Sequence, residues 1–270
     1  MSHSKVLANV DSIETMGLVD GPGIRVVVFL QGCHLRCLYC HNPETWSCET
    51  KQLMSVEDIV NKVKRYKNYI IDKGGVTFSG GEPLLQSDFI YECAKELKKE
   101  GFHICIDTAG IGEGYEKLIE LTDLFIVDVK SLYEEEYKYL TGRDGLEEFH
   151  AFMNKIITSN KKIWLRQVIV PGINDDDEHI LKLAEYANSI SGIEKVELLP
   201  YHTYGMKKYE ELNIKYRLKD TPALSKEKEE YLNTLLSKNI KIWKGHYKMT
   251  FFIACVWKCR ILGIQCLLGG

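Results

Sequence analysis

Residues 75–107 read GVTFSGGEPLLQSDFIYECAKELKKEGFHICID, and this stretch decides the fold. Two short apolar or β-branched runs, at 75–78 and 103–107, flank an amphipathic run at 86–100. The amphipathic run predicts a helix, which Gly101 closes as a C-cap. A strand, a helix and a second strand in this order predict a βαβ unit, whose two strands run parallel.

The same alternation extends along the chain in both directions. Predicted strands cover residues 24–30, 75–78, 103–107, 124–129, 163–170 and 196–199. Predicted helices cover residues 55–73, 86–100, 115–121, 146–159 and 176–191. We therefore expect an α/β fold of a single domain, built as a partial (β/α)6 TIM-type barrel of parallel strands. A doubly wound open sheet fits the same pattern and stays open as the alternative.

The loop after the first predicted strand carries three cysteines in the run GCHLRCLYCHN, residues 32–42. Cys33, Cys37 and Cys40 stand at the spacing C-x3-C-x2-C, and Tyr39 directly precedes the last of them. This spacing favours a [4Fe–4S] cluster, which takes four ligands. Because the loop offers only three thiolates, one iron is left open to an outside ligand.

Two other uses of these cysteines have to be weighed. Together with His41, the three thiolates could form a tetrahedral Cys3His zinc site, although zinc modules usually present two separated pairs of ligands. A disulfide framework is typical of short secreted scaffolds, whereas this chain has 270 residues. The zinc site stays open as the alternative to an iron–sulfur cluster.

Polar side chains stand at or just after the ends of several predicted strands, where a barrel carries its chemistry. In SGGEP, residues 79–83, two glycines let the backbone approach a ligand closely, and Glu82 can accept a hydrogen bond from an ammonium group. Arg166 lies in the middle of a strand, where burial of its charge requires an anionic partner. The remaining candidates are Asp107, Thr108, Asp128, Lys130 and His202.

Composition argues against several classes of function. The net charge is −3, which predicts no binding to nucleic acid or to an anionic membrane surface. The N-terminal residues lack the apolar core of a signal peptide. Nine cysteines without a secretion signal indicate a reducing compartment, so we expect a cytoplasmic location.

From about residue 10 to residue 242 the chain resembles the pyruvate formate-lyase activating enzymes, a family of glycyl-radical enzyme activases within the radical S-adenosylmethionine (SAM) superfamily. The stretches that carry the resemblance are VDGPGIR (19–25), QGC (31–33), CLYCHN (37–42), SGGE (79–82), VPG (170–172) and ELLPYH (197–202). Many other activases carry a cysteine-rich insert after the first motif. Here only Cys48 lies between Cys40 and Cys93, which favours the pyruvate formate-lyase type.

The resemblance implies a role for each matching residue. One [4Fe–4S] cluster, whose open iron is chelated by the amino and carboxylate groups of SAM, would be held by Cys33, Cys37 and Cys40. The SAM site would be lined by Tyr39, Asn42, Ser79, Gly81, Glu82, Lys130, Arg166 and His202. A monovalent cation beside the SAM carboxylate would be bound by Asp107, Thr108 and Asp128. Asp20 would face the incoming peptide of the partner.

The resemblance also implies the reaction and its partners. Reductive cleavage of SAM would lead to removal of a hydrogen atom from a glycine in pyruvate formate-lyase, with flavodoxin or ferredoxin as the electron donor. We expect a monomer with no nucleic-acid partner and no membrane association. Two rival functions remain, namely activation of a different glycyl-radical enzyme and a non-enzymatic metal-binding role.

The end of the chain departs from the family pattern. We expect a radical SAM core domain over residues 1–247 and an atypical, poorly ordered apolar extension over residues 248–270. Lys258 and Arg260 would each cost about 2.5–3.5 kcal/mol at the centre of a membrane helix, so we do not expect a membrane span. The cysteines of this extension are too loosely spaced to predict a second cluster.

Overall fold

The computed structural model describes residues 6–70 and 74–241. Its strands are β1 (Leu7–Gly17), β2 (Arg25–Leu30), β3 (Leu53–Ser55), β4 (Gly75–Gly80), β5 (His103–Thr108), β6 (Leu124–Asp128), β7 (Lys162–Ile169) and β8 (Ile193–Pro200). Its α-helices are α1 (Val56–Lys64), α2 (Ser87–Lys99), α3 (Glu116–Leu121), α4 (Glu134–Thr141), α5 (Leu146–Thr158), α6 (Asp177–Ser189), α7 (Met206–Glu211) and α8 (Lys226–Asn239). The predicted extension over residues 248–270 lies outside the described residues.

All eight strands belong to one sheet in the order β3-β1-β2-β4-β5-β6-β7-β8. Six strands, β2 and β4 to β8, are parallel and lie side by side in chain order, so every crossover advances in the same direction. Right-handed crossovers of this kind leave their helices on one face of the sheet, whereas a doubly wound sheet reverses direction. The sheet stays unclosed, with β3 and β8 at its edges. The predicted partial barrel is therefore confirmed, and the doubly wound alternative is wrong.

Three features of the first third of the chain differ from the prediction. Strand β1 pairs antiparallel with β2, and it was not predicted because only Ala8, Val10 and Gly17 along it are buried. The short strand β3 was not predicted either. The helix predicted over 55–73 ends at Lys64, and it starts with a capping box, in which Ser55 and Asp58 satisfy each other's backbone N–H groups. The helices α4, α7 and α8 were also not predicted.

The parallel strands pack on both faces. The face covered by helices holds the main apolar core, which includes Val28, Phe78, Ile106, Phe125 and Leu165. The opposite face holds a small apolar cluster of Cys105, Leu124 and Ile126, packed against Trp164. Because side chains alternate along a strand, the positions that follow this cluster on the same face are polar. These positions are Ser79, Asp107, Asp128, Arg166 and Glu197.

No helix within the described residues has the length and apolar character needed to cross a bilayer.

Candidate active site

The cysteine loop, residues 31–42, follows β2 directly and is held to the rest of the domain by its backbone. The N–H of Gly32 donates to the carbonyl of Thr45 at 2.8 Å, and that of Arg36 donates to the carbonyl of Thr141 at 2.7 Å. The guanidinium of Arg36 donates back to the carbonyl of Cys33 at 2.6 Å. These bonds fix the loop at the carboxyl end of the sheet without using any thiol.

The three thiols of the loop are free, and Cys37 is buried while Cys33 and Cys40 are partly buried. Burial raises the pKa of Cys40 to about 12, even though the Trp46 indole donates to its sulfur. Burial likewise raises the pKa of Cys33 and of Cys37. Thiols in such surroundings stay protonated until a metal displaces the proton, which is how thiolate ligands bind metals.

His41, the fourth ligand of the alternative zinc site, is engaged elsewhere. Its Nε2 lies 3.2 Å from the backbone carbonyl oxygen of His202, and the two imidazole rings stack with centroids 4.1 Å apart. Burial lowers the pKa of His41 to about 3 and that of His202 to about 4, so both rings are neutral near pH 7. Across residues 6–70 and 74–241, no three His, Cys, Asp or Glu side chains are grouped as they would be around a single metal ion.

The two glycines of the SGGEP motif approach the protein backbone rather than open space. A Cβ on Gly81 would lie 2.1 Å from the carbonyl oxygen of Gly32, and one on Gly80 would lie 2.4 Å from the backbone N of Leu30. The N–H of Glu82 also donates to the Gly32 carbonyl at 2.8 Å. The motif thus packs directly under the cysteine loop. The glycines were predicted to let the backbone approach a ligand, but in the structure they let it approach the neighbouring backbone.

Glu82 is 2% exposed and ties β4 to β5. Its carboxylate accepts from the hydroxyl of Thr108 at 2.5 Å and from the backbone N–H of Ala109 at 2.8 Å. It also accepts from the N–H of Leu84 at 3.1 Å. Burial raises the pKa of Glu82 to about 7, against the opposite effect of these hydrogen bonds. Glu82 is therefore a buried acid that changes its charge near neutral pH.

Arg166 has the anionic partner that its mid-strand position requires. Its Nε donates to Glu197 on β8 at 2.8 Å, and a second nitrogen lies 4.0 Å from the carboxylate of Asp107. Asp107 in turn accepts from the hydroxyl of Ser79 at 3.0 Å. Burial alone would lower the pKa of Arg166, but the two carboxylates outweigh it and the pKa is raised. The guanidinium is charged at every physiological pH.

Lys130 and Asp128 form a second ion pair beside the cysteine loop. The ammonium group lies 2.7 Å from Asp128 Oδ2 and 5.6 Å from the centre of the Tyr39 ring. Burial would lower the pKa of Lys130, but Asp128, Tyr39 and Cys37 together outweigh it and the pKa is raised. Within the described ranges, the Tyr39 hydroxyl and Asp128 Oδ1 are buried without a hydrogen-bond partner. Two orphaned polar atoms next to three free thiols fit a polar ligand bound over the cysteine loop.

The three residues predicted to bind a monovalent cation are only partly brought together. Asp128 lies close enough to Asp107 to contribute to the raised pKa of Asp107, after the larger effect of burial. The hydroxyl of Thr108 is bonded to Glu82, and the N–H of Gly110 donates to it at 2.9 Å. Because Thr108 follows Asp107 on the same strand, its side chain points to the other face of the sheet.

Three further predicted residues lie around this group. Asn42 accepts from Lys208 of α7 at 3.1 Å. His202 lies just beyond β8, between the rings of His41 and Tyr204. Asp20 is 2% exposed and lies in the β1–β2 turn, so its carboxylate is inside the domain instead of on the surface that a peptide would meet first.

Some residues that build this site were assigned no role from the sequence. Glu197 is the first residue of the ELLPYH stretch but had no role there, and Thr77 lies in an apolar run. On α7, Tyr209 donates to the carbonyl of Cys40 at 3.0 Å, and Lys208 forms an ion pair with Glu44. Only the need of Arg166 for a counter-charge could have pointed to Glu197, and it could not have named the residue.

Comparison with known proteins gives consistent relatives. Residues 27–184 match the family described as the Radical SAM superfamily. The chain is 48% identical over 237 residues to a pyruvate formate-lyase-activating enzyme of Clostridium pasteurianum, covering 86% of this chain and 99% of the relative. It is 43% identical over 219 residues to a protein of the same name from Staphylococcus epidermidis, covering 77% and 87%.

Solved structures share the fold at low sequence identity. A domain of a pyruvate-formate lyase-activating enzyme from Bacteroides vulgatus matches with a TM-score of 0.50 and 23% identity, over 62% of this chain and 94% of that chain. A radical SAM methyltransferase from Sphaerobacter thermophilus matches with a TM-score of 0.58 and 16% identity, over 80% and 64%. These two likenesses concern the fold alone.

Proposed function

This chain belongs to the radical SAM superfamily and, within it, to the pyruvate formate-lyase-activating enzymes, and on that premise we propose how its residues work. It activates pyruvate formate-lyase by generating a glycyl radical on that enzyme. A [4Fe–4S] cluster held by Cys33, Cys37 and Cys40 would supply the electron for reductive cleavage of SAM, the chemistry by which a hydrogen atom is removed from the glycine. The observation that carries this function is the 48% identity over 99% of the Clostridium relative.

Cys33, Cys37 and Cys40 hold the cluster. Their spacing on one loop supports this role, as do their free thiols and the backbone bonds that fix the loop. Burial of the loop against the SGGEP motif and α7 keeps water from the reacting atoms. The expected cluster content is one per chain, carried by the core over residues 1–247.

The SAM site is lined by Tyr39, Asn42, Ser79, Gly81, Glu82, Lys130, Arg166 and His202. SAM carries both an ammonium and a carboxylate group, so its site needs both charges in a fixed arrangement. The Lys130–Asp128 and Arg166–Glu197 pairs support this assignment because they hold cations and anions on one polar face. A monovalent cation between Asp107 and Asp128, with Thr108 beside them, stays part of the proposal.

Asp20 contacts the glycine loop of pyruvate formate-lyase, and the turn that carries it adjusts to admit the peptide. Flavodoxin or ferredoxin donates the electron that the cycle consumes. The enzyme is a cytoplasmic monomer. These assignments rest on the family, and the net charge of −3 supports the absence of a nucleic-acid partner.

The decisive experiment is anaerobic incubation of the holoenzyme with SAM, a reductant and pyruvate formate-lyase, followed by EPR spectroscopy. We expect the doublet of a glycyl radical, with stoichiometric formation of methionine. The matched control is the Cys37→Ala variant, which should give neither product. Cleavage of SAM without the doublet would mean that this chain activates a different glycyl-radical enzyme.

A further inference from the structure

We propose that Thr77 is a positioning residue that sets the β1–β2 turn, residues 18–24, for the incoming glycine peptide. The proposal rests on the proposed function, because it concerns how the turn that carries Asp20 is presented to the partner. Thr77 lies on β4 with no exposed surface and takes no part in the cofactor sites described above. Its hydroxyl makes two hydrogen bonds to this turn and its anchor, and it also meets the buried thiol of Cys105 on the neighbouring strand.

The hydroxyl of Thr77 both accepts and donates a hydrogen bond. It accepts from Nε of Arg25 at 2.6 Å and donates to the backbone carbonyl of Asp20 at 2.6 Å. Both bonds are buried, so neither exchanges with water at low cost. The position of Arg25 is thereby transmitted to the main chain of Asp20 through a single oxygen atom.

Arg25, which anchors the turn, is held by several further contacts. Arg25 has no exposed surface, and its guanidinium also donates to the carbonyls of Pro22 at 2.9 Å and Val76 at 2.7 Å. Gly21 has φ +128°, and a Cβ there would lie 3.0 Å from Cδ and Nε of Arg25. The turn therefore closes over the arginine with no room for a side chain.

The turn is held from three strands at once. Arg166 of β7 donates to the carbonyl of Val19 at 2.5 Å, Thr77 of β4 donates to that of Asp20, and Arg25 of β2 donates to that of Pro22. Since β2 and β7 are four positions apart in the sheet, the turn reaches across the polar face. The middle bond is the one that fixes the residue proposed to meet the peptide.

Loss of the hydrogen bond from Thr77 to the Asp20 carbonyl should also change the position of the Asp20 carboxylate. The carbonyl that Thr77 holds belongs to Asp20 itself, so rotation of that peptide unit also turns the side chain. One carboxylate oxygen lies only 3.1 Å from the site of a Cβ on Gly17, which leaves it close to the β1 backbone in the present arrangement. Without this bond the main chain of Asp20 loses one of its restraints while Arg25 and Arg166 still attract its carboxylate, so the carboxylate would shift and the peptide would bind less well.

The test compares Thr77→Val, which removes the hydroxyl but keeps the shape, with Thr77→Ser, which keeps the hydroxyl. The matched control is Thr122→Val, because Thr122 is equally buried and its hydroxyl donates to the Leu118 carbonyl at 2.8 Å, away from the turn. Each holoenzyme is assayed for SAM cleavage without partner and for glycyl-radical formation over a range of pyruvate formate-lyase concentrations. Amide hydrogen exchange of residues 18–24 is measured in parallel.

We expect Thr77→Val to raise KM for pyruvate formate-lyase and to speed exchange in the turn, each by roughly five- to tenfold, the effect of about one lost hydrogen bond. The ratio of radical formation to partner-free SAM cleavage at low partner concentration should fall by the same factor. Thr77→Ser and Thr122→Val should keep wild-type values. Should Thr77→Val fail to fold, Gly21→Ala perturbs the same anchor through Arg25 and should show the same rise in KM.

Four results would overturn the proposal. They are unchanged exchange in the turn, an unchanged KM, an equal loss of both activities, and failure of serine to restore the wild-type values. If the wild-type enzyme forms no radical on pyruvate formate-lyase, the proposed function is wrong. The exchange measurement still decides whether Thr77 sets the turn.

Discussion

Replacing Glu197 by glutamine removes the charge nearest to Arg166 while preserving the shape of the side chain. The two groups form a cross-strand pair between β7 and β8, with Nε and Oε2 2.8 Å apart and side chains only 10% and 8% exposed. In the variant, the guanidinium keeps the carboxylate of Asp107 at 4.0 Å and the carbonyl of Val19. We therefore expect Arg166 to stay in place but to lose most of the negative charge that balances its buried guanidinium.

The size of the effect follows from these distances. At an effective dielectric constant of about 20, the attraction at 2.8 Å is roughly 6 kcal/mol and that at 4.0 Å roughly 4 kcal/mol. Breaking a buried pair costs about 3–5 kcal/mol, and the remaining Asp107 places Glu197→Gln at the lower end, about 3 kcal/mol. With about 2–4 °C per kcal/mol for a domain of this size, the melting temperature should fall by about 6–12 °C.

The assay is thermal unfolding of the anaerobic holoenzyme at pH 7. The matched control is Glu194→Gln, because Glu194 pairs with Lys162 between the same two strands at 2.7 Å, with side chains 43% and 63% exposed. An exposed pair contributes about 0–1 kcal/mol, so this variant should shift the melting temperature by no more than about 4 °C. Glu197 also pairs with Lys195, which adds to the effect of its removal. Equal shifts in the two variants would refute the argument, since it attributes the larger shift to the buried pair.

Three further predictions concern the loop, the motif beneath it and a histidine on the helical side. Alanine at any one of Cys33, Cys37 and Cys40 should abolish SAM cleavage and lower the bound iron, which metal analysis measures. The control Cys93→Ala should keep about 4 iron per chain. Gly81→Ala should also lower iron, because its Cβ would lie 2.1 Å from the Gly32 carbonyl, while Gly101→Ala, with nothing within 4 Å, should not. The His179 ring lies 2.6 Å from Glu136 and 2.8 Å from Asp176, which raise its pKa despite the opposing effect of burial. Its stabilisation is complete below the unfolded pKa of about 6.5 and is lost as the pH rises through the folded pKa. The difference in melting temperature between wild type and His179→Gln should therefore shrink from pH 6 to pH 9, and a constant difference would contradict this reasoning.

Much of the fold could be predicted from local patterns. The six parallel strands were all predicted, and β2 and β5 begin or end within one residue of the expected bounds. Strand β1 was missed because polar residues interrupt its apolar ones and most of its residues are exposed or partly exposed, so it lacks the apolar run that marks a buried strand. It is a strand because β2 offers it a free edge, which is a property of the sheet and not of residues 7–17.

The candidate site divides in the same way. The sequence indicated the three cysteines, the SGGEP turn and the strand-end residues, because each is recognisable by spacing or position. It assigned no role to Glu197, which it marked only as the first residue of ELLPYH, or to Thr77, because a threonine in an apolar strand has no distinguishing pattern. It also placed Asp20 toward the partner, whereas the structure buries its side chain in the β1–β2 turn.

By itself, the sequence determined the order of strands and helices, the βαβ repeat and the chemistry that one loop can offer. These depend on neighbours within a few residues, where hydrophobic period, capping and ligand spacing act. Only the tertiary structure decided which polar groups meet across strands: Arg166 with Glu197, and Glu82 with Thr108. Those partners are set by the register between strands and by the depth of burial, because a buried charge must take whatever counter-group the adjacent strand presents at the same level.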